Sequence, residues 1–233
     1  MSRLKVDTIE DRSGSGITLD DTLKVDTISE KTSANGVTID GVLLKDNLVA
    51  SSAGGSLVLL HTLTASDSPT LISDNFVDDT KYNSYRVVCE NILPSANNPN
   101  MLVVFRQGGG SGSDITGTYR GAKYRIGLNT TANNTNYSGQ SGTNYIEWAY
   151  GLRNPSTTSK FNGVFDFFPN SSDGGSTHFN GSFVVVSATN NGDIYYWNSS
   201  GILYSSTNCT GLKWYMGAGN IEGGQIYIYG VKK

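Results

Sequence analysis

Polar and aromatic side chains in the C-terminal part of the sequence could bind a carbohydrate. Asn136 and Tyr137 lie in a polar stretch, residues 129–144, and Asp114 lies in a glycine-rich stretch, residues 107–117. Asn, Asp and Tyr side chains hydrogen-bond sugar hydroxyls, and an aromatic ring can stack on the apolar face of a pyranose. Connections of this kind on an all-β scaffold often bind ligands, although each of them is also what a solvated turn looks like.

A second candidate is the pair Tyr195 and Trp197. The two residues are separated by one position on a predicted strand, so they share a face, and Ile194 and Tyr196 take the opposite one. Because Ile194 is the natural core member, we expect Tyr195 and Trp197 to point outward. An outward aromatic pair would be either a contact between subunits or a platform for a sugar ring.

The sequence contains no set of residues whose spacing identifies a catalytic site. A glycosidase needs two carboxylates flanking the bond that is cut. Glu147 and Asp166 lie on predicted strands and Asp173 in a predicted loop, without a spacing that pairs them. His61 and His178 have no Gly-x-Ser-x-Gly partner for nucleophilic catalysis. We therefore predict no enzymatic activity.

The composition argues against a metal site and a cofactor. The two cysteines, Cys89 and Cys209, and the two histidines are far apart in sequence, whereas a metal site needs several ligands at a recognisable spacing. Each cysteine lies beside strand-like sequence, so buried free thiols are expected in preference to a disulfide.

Charge and hydropathy exclude two classes of partner. The formal net charge is −3 and no cluster of Lys and Arg occurs, which argues against binding of nucleic acid. The longest wholly apolar run, residues 101–105, is too short to cross a bilayer, and no signal peptide is expected at the N-terminus.

Alternating apolar and polar residues predict an all-β protein. The segments are separated by turn-forming residues, and no stretch has a helical period. The predicted strands are residues 57–63, 85–93, 101–107, 119–128, 145–150, 161–168, 179–187, 194–197, 212–216 and 225–231. So many short strands indicate an antiparallel β-sandwich of jelly-roll type.

The first fifty residues contain a repeat. Residues 4–9 and residues 23–28 are both Leu-Lys-Val-Asp-Thr-Ile, and the pattern of residues 16–20 returns at residues 36–40. Two repeats with few apolar side chains cannot offset their own ordering entropy as a monomer. We therefore expect an intertwined β stalk in a homotrimer, with a shared core of Ile17, Leu19, Val37 and Ile39.

This repeat carries a resemblance to a known class of protein. Residues 23–32 and 35–41 resemble the N-terminal segment of tail-fibre and appendage proteins of marine bacteriophages, including those that infect cyanobacteria. The resemblance covers about residues 4–47, and a looser one covers residues 219–231. It implies a virion protein made in the host cytoplasm, attached to other tail or virion proteins through the N-terminal segment.

The predicted organisation follows from these observations. Residues 1–50 form the stalk, residues 51–57 a flexible linker, and residues 58–233 a sandwich head. The resemblance implies that the head binds a host receptor, either a surface glycan or an outer-membrane protein. Two other functions stay open, namely a purely structural virion component, such as a capsid decoration or connecting fibre segment, and a polysaccharide depolymerase.

Overall fold

The structure, a computed structural model, divides the chain into two compact units, Met1–Gly54 and Gly55–Lys233. It describes residues 37–39, 42–45, 48–49, 57–108, 112–128, 133–149, 151–152, 160–169, 175–186 and 194–233. The predicted linker lies outside these residues, except for Leu57, which begins a strand.

The described part of the N-terminal unit is a small antiparallel sheet. Its strands, β1 (Val37–Ile39), β2 (Val42–Lys45) and β3 (Leu48–Val49), lie in the order β1-β2-β3. β-branched residues favour this conformation. Of the four residues predicted for the stalk core, Ile17 and Leu19 lie outside the described residues, as do the side chains of Val37 and Ile39 on β1.

The C-terminal unit has thirteen strands in its described residues. In chain order they are β4 (Leu57–Thr64), β5 (Leu71–Ser73), β6 (Tyr82–Pro94), β7 (Met101–Gln107), β8 (Ser113–Asp114), β9 (Thr118–Leu128), β10 (Asn133–Thr143), β11 (Ile146–Ala149), β12 (Phe161–Phe168), β13 (Ser176–Val186), β14 (Ile194–Tyr204), β15 (Gly211–Met216) and β16 (Ile221–Lys232).

These strands form two antiparallel sheets. The large sheet has eight strands in the order β10-β9-β14-β13-β12-β6-β16-β4, and the small sheet has the order β11-β7-β15-β5 with β8 paired to β7. Every registered pair is antiparallel. The prediction of an all-β protein with antiparallel sheets is confirmed.

Aromatic side chains from both sheets meet in the core between them. Trp148 of the small sheet packs edge-on against Phe161 and Phe165 of the large sheet, with ring centroids 5.1 and 4.9 Å away. Phe105 stacks on Phe167 across the same interface at 5.4 Å. This arrangement is that of a β-sandwich, whose inner faces interdigitate.

Alternation predicted most of these inner faces correctly. Alternation along the predicted strands places four sets of side chains inward, and their described members are buried: Ile146 and Trp148, whose predicted partner Tyr150 lies outside the described residues; Phe161, Phe165 and Phe167; Leu212, Trp214 and Met216; and Ile226 and Ile228. Cys89 and Cys209 are buried free thiols, as expected, and burial raises the pKa of the Cys209 thiol to about 12.

One prediction about the loops is wrong. The polar stretch 129–144 was expected to be a connection, but Asn133–Thr143 forms the edge strand β10, paired with β9 from Asn133↔Leu128 onward. Asn, Gly and Ser are depleted in strands, so propensity hides this element. The backbone hydrogen bonds between β10 and β9 outweigh the low strand propensity of the residues in β10.

Candidate functional site

The outer face of the large sheet exposes most of the apolar surface found in the described residues. Ten large apolar side chains are exposed, and nine of them point outward from this sheet, Ile72 being the exception. The nine are Leu57, Leu59, Ile126, Tyr137, Phe168, Val184, Ile194, Tyr196 and Tyr204. A concentration of this kind is typical of an interaction surface.

A groove crosses this face over β10, β9, β14 and β13, and we call it the outer groove. Its first half has a volume of about 470 Å³ and lies between Tyr124, Tyr137 and Asn198. These three residues are neighbours across the strands, because Tyr137 pairs with Tyr124 and Tyr124 with Asn198. The two tyrosine rings are 6.4 Å apart between centroids, and Tyr137 is 78% exposed.

The second half of the outer groove has a volume of about 500 Å³. Arg120, His178 and Tyr204 line it, and the Arg120 guanidinium carbon lies 5.3 Å from the centroid of the Tyr204 ring. Ala122 and Ser200 line both halves, so the two depressions adjoin. Each half falls in the range of about 300–1,000 Å³ that is usual for ligand sites.

Small residues keep the floor of the groove open. Gly139, Ala122 and Ser200 are successive partners on β10, β9 and β14, so they form one outward row between rows of larger side chains. Beneath them, a Cβ atom at Gly201 would lie 2.0 Å from a ring carbon of Phe179. Glycine at that position lets the Phe179 ring pack directly under the sheet.

The predicted orientation of Tyr195 and Trp197 is wrong. Both are buried on the inner face of β14, and Ile194 and Tyr196 are the outward pair. Trp197 stacks on Phe183 at 5.9 Å, and Arg125 lies over the Tyr195 ring at 4.5 Å. Two aromatic rings bury more apolar area than one Ile and one Tyr, which decides the facing.

The other predicted binding residues lie in three different environments. Tyr137 lines the outer groove. The backbone of Asn136 pairs with Arg125, and its side chain lies outside the description. Asp114 lies on the small sheet, where it forms ion pairs with Arg106 at 2.8 Å and with Lys213. Of the predicted binding residues with described side chains, Tyr137 lines the outer groove, and Asp114, Tyr195 and Trp197 lie elsewhere.

Several groove residues were missed by sequence reasoning. These residues lie on strands, whereas the sequence predicts binding residues mainly in the connections; they are Arg120, Tyr124, Asn198 and Ser200. The sequence of β9 did contain a signal, because Arg120, Ala122 and Tyr124 are two positions apart and therefore share one face of the strand. Placing Tyr119 in the core would have identified that face as the outer one, since Tyr119 is buried on the opposite face.

A Ser–His contact at one edge of the sandwich has a structural explanation. His61 Nδ1 lies 2.5 Å from Ser73 Oγ, which joins β4 of the large sheet to β5 of the small sheet. Ser73 is only 3% exposed, so its hydroxyl is not presented to a substrate. The pair closes the sheet edge, and we assign it no chemistry.

Comparison with known proteins gives no relative. No protein family, no curated protein and no solved structure matches this chain. Among the described residues, no group of three or more His, Cys, Asp or Glu side chains is arranged to hold a metal ion. None of the described segments is a helix long and apolar enough to span a membrane.

Proposed function

We propose that the C-terminal unit is a carbohydrate-binding head that takes a short oligosaccharide into the outer groove. The observation that carries the proposal is the combination of an open floor, two tyrosine rings on one wall and polar groups from Asn198 and Ser200. Exposed aromatic rings contact the apolar faces of sugars, and amide and hydroxyl groups bind their hydroxyls. The sheet holds these groups in place without a moving loop.

The wider setting of this function is a bacteriophage tail fibre or appendage. Support comes from the repeat in residues 4–47 and its resemblance to such proteins. In this proposal the N-terminal unit is an intertwined trimeric stalk, the head is jelly-roll-like, and the sugar belongs to a host cell surface. Three linked heads would raise the avidity of a weak site by about 10²–10⁴-fold.

The binding function is tested with the full chain on an array of immobilised glycans. Tyr137→Ala should weaken binding to any glycan that is captured, because it removes the most exposed ring of the groove. Ala122→Leu should do the same by filling the floor. Tyr229→Ala is the matched control, because Tyr229 lies on β16, outside the groove.

The groove assignment fails if Tyr137→Ala and Ala122→Leu bind as the natural chain does. The proposal as a whole fails if no glycan on the array is bound. Mass measurement under native conditions tests the oligomeric state independently, and a stable monomer would contradict the trimeric stalk.

A structural function is the second candidate, and one observation favours it. Ile126, Val184, Ile194 and Tyr196 form a contiguous outer apolar patch, since Val184 pairs with Tyr196 and Tyr196 with Ile126. All four are between 38% and 47% exposed. Such a patch would suit contact with a second copy of this chain, as in a connecting segment of a fibre or a capsid decoration.

A further inference from the structure

The second half of the outer groove is lined by basic side chains. Arg120 on β9 and His178 on β13 both neighbour Ile202 on β14, so the three form one outward row across the sheet. Arg120 and His178 are exposed, and both line the groove beside Ser200. A ligand in this half would therefore meet the Arg120 guanidinium and the His178 imidazole.

No carboxylate among the described residues lines the groove to balance Arg120. In the adjoining row of the same face Asp166 is the partner of Asn180, which is itself the partner of Ser200. The Asp166 carboxylate is engaged by Arg86 through two hydrogen bonds of 2.8 and 3.0 Å. Arg120 takes part in none of the ion pairs found among the described residues.

The position of Arg120 suits binding of a planar anion. Its guanidinium group lies over the Tyr204 ring, a contact that orients the group and leaves its N–H donors available at the edge of the plane. A guanidinium edge presents two parallel donors, which match the two oxygens of a carboxylate. Lysine would offer a point charge without this geometry.

We propose that the outer groove selects a saccharide that carries a carboxylate, such as a uronic acid residue, with Arg120 binding the carboxylate. The inference rests on the proposed carbohydrate function and adds the class of ligand. Arg120 supplies the charge-assisted hydrogen bonds in the second half, and Tyr124 and Tyr137 contact an adjacent sugar ring in the first half. His178 adds a further polar contact at the far end of the row.

The test uses the full chain and two matched polymers, polygalacturonate and the same polymer with its carboxylates reduced to alcohols. The natural chain should bind polygalacturonate more tightly, and the preference should fall as salt is raised, since exposed charges are screened. Arg120→Gln should lower the affinity for polygalacturonate by roughly tenfold or more, because charge-assisted hydrogen bonds are lost. Its affinity for the reduced polymer should not change.

Two further variants separate charge from geometry and from general effects on this face. Arg120→Lys keeps the positive charge and loses the two parallel N–H donors of the guanidinium group, so it should recover only part of the affinity that Arg120→Gln loses. The double variant Arg86→Gln with Asp166→Asn removes an ion pair from the same sheet face without changing net charge, and it should bind as the natural chain does.

The outcomes distinguish this inference from the proposed function. Equal binding of both polymers, with loss of both in Tyr137→Ala, overturns the acidic ligand and leaves the carbohydrate groove in place. An effect of Arg120→Gln no larger than that of the Arg86 and Asp166 double variant also overturns it. If neither polymer binds and the glycan array captures nothing, both proposals fail together.

Discussion

The two outer faces of the sandwich differ in how they meet solvent. On the small sheet, β7 is buried on both sides, so that Leu102 and Val104 are 6% and 3% exposed although they point away from the core. On the large sheet, outward side chains such as Ile126 and Val184 are 44% and 46% exposed. Among the described residues, the protein covers the outward side chains of β7 on the small sheet and leaves those of the large sheet more exposed.

Charged side chains cover the small sheet. Lys213 pairs with Val104 across the strands and reaches past it to Asp114 on β8, so its aliphatic stem lies over β7. Arg106 binds both carboxylate oxygens of Asp74, at 2.7 and 3.1 Å, and also binds Asp114. These contacts link β5, β7, β8 and β15 on the outside of the sandwich.

The comparison indicates which face contributes stability and which face is available for binding. Side chains on the small sheet are already paired with one another, so a ligand would have to replace existing contacts there. The outer groove presents Tyr137 and Arg120 without a carboxylate partner for Arg120 among the described residues. Changes on the first face should therefore alter folding, and changes on the second should alter recognition.

The largest effect is expected from Arg106→Ala on the small sheet. The Arg106 side chain is 9% exposed and Asp74 is 15% exposed, so removing the guanidinium leaves a largely buried carboxylate without its partner. The free energy of unfolding should fall by about 3 kcal/mol, as measured by denaturant titration. Arg120→Ala on the other face should change it by less than about 0.5 kcal/mol, and equal losses would contradict the contrast.

A smaller effect is expected from Gly211→Ala, which tests how closely the small sheet is covered. A Cβ atom at Gly211 would lie 2.4 Å from the Ser73 carbonyl oxygen and 2.7 Å from the Asp74 carboxylate. Backbone must move to admit it, which should cost about 1–3 kcal/mol. Gly139→Ala is the matched control, because its nearest neighbour would be 3.9 Å away, and it should be nearly neutral in thermal unfolding.

The sequence predicted the sandwich because its strands alternate strongly. Trp148 lies between Glu147 and Ala149, and Phe165 and Trp214 each have a charged residue on one side, Asp166 and Lys213, so alternation predicted their inward orientation. On β14 both faces carry large side chains, with Tyr195 and Trp197 against Ile194 and Tyr196, and alternation alone could not decide between them. The contact that decides the orientation is the one between Phe183 on β13 and Trp197 on β14. It depends on how the two strands pair, which neither strand's sequence shows by itself.

The groove was beyond sequence reasoning for a related reason. Tyr137 was selected, but as a residue of a loop, because Asn133–Thr143 has the composition of a connection. Tyr124 and Asn198 become its neighbours only through the registers of β10 with β9 and of β9 with β14. Register is determined by tertiary pairing, so the set of residues that forms the groove could not be assembled from the chain.

A change in assembly with little change in stability is expected from Val184→Asp. Val184 belongs to the outer apolar patch, where it pairs with Tyr196, and it is 46% exposed, so a charge there should change the free energy of unfolding by less than about 0.5 kcal/mol. If the patch contacts a second copy of the chain, native mass measurement should show more dissociated protein. Ile72→Asp, at a site 42% exposed on the small sheet, is the control, and an equal shift in both variants would count against the patch.

The smallest effect is expected from Asp78→Asn, in the segment that joins β5 of the small sheet to β6 of the large one. Its carboxylate bonds to Lys81, at 2.8 Å, and accepts hydrogen bonds from Thr80, and these contacts lower the pKa of Asp78 from 3.8 to about 2. A pKa that is lower in the folded state stabilises the fold above pH 3.8, and this contribution is lost as the pH falls towards 2.

Asp78→Asn should therefore lower the thermal midpoint slightly at pH 7, and the difference from the natural chain should shrink as the pH falls from 3.8 through the folded-state pKa of about 2. Because water and salt ions reach the Asp78 carboxylate, salt should screen its interaction with Lys81 and reduce the difference in thermal midpoint at pH 7. The variant should bind glycans as the natural chain does, since Asp78 is not among the residues that line the outer groove. A loss of binding in this variant would mean that recognition depends on the joint between the sheets, and the division of the molecule into a stabilising face and a binding face would have to be abandoned.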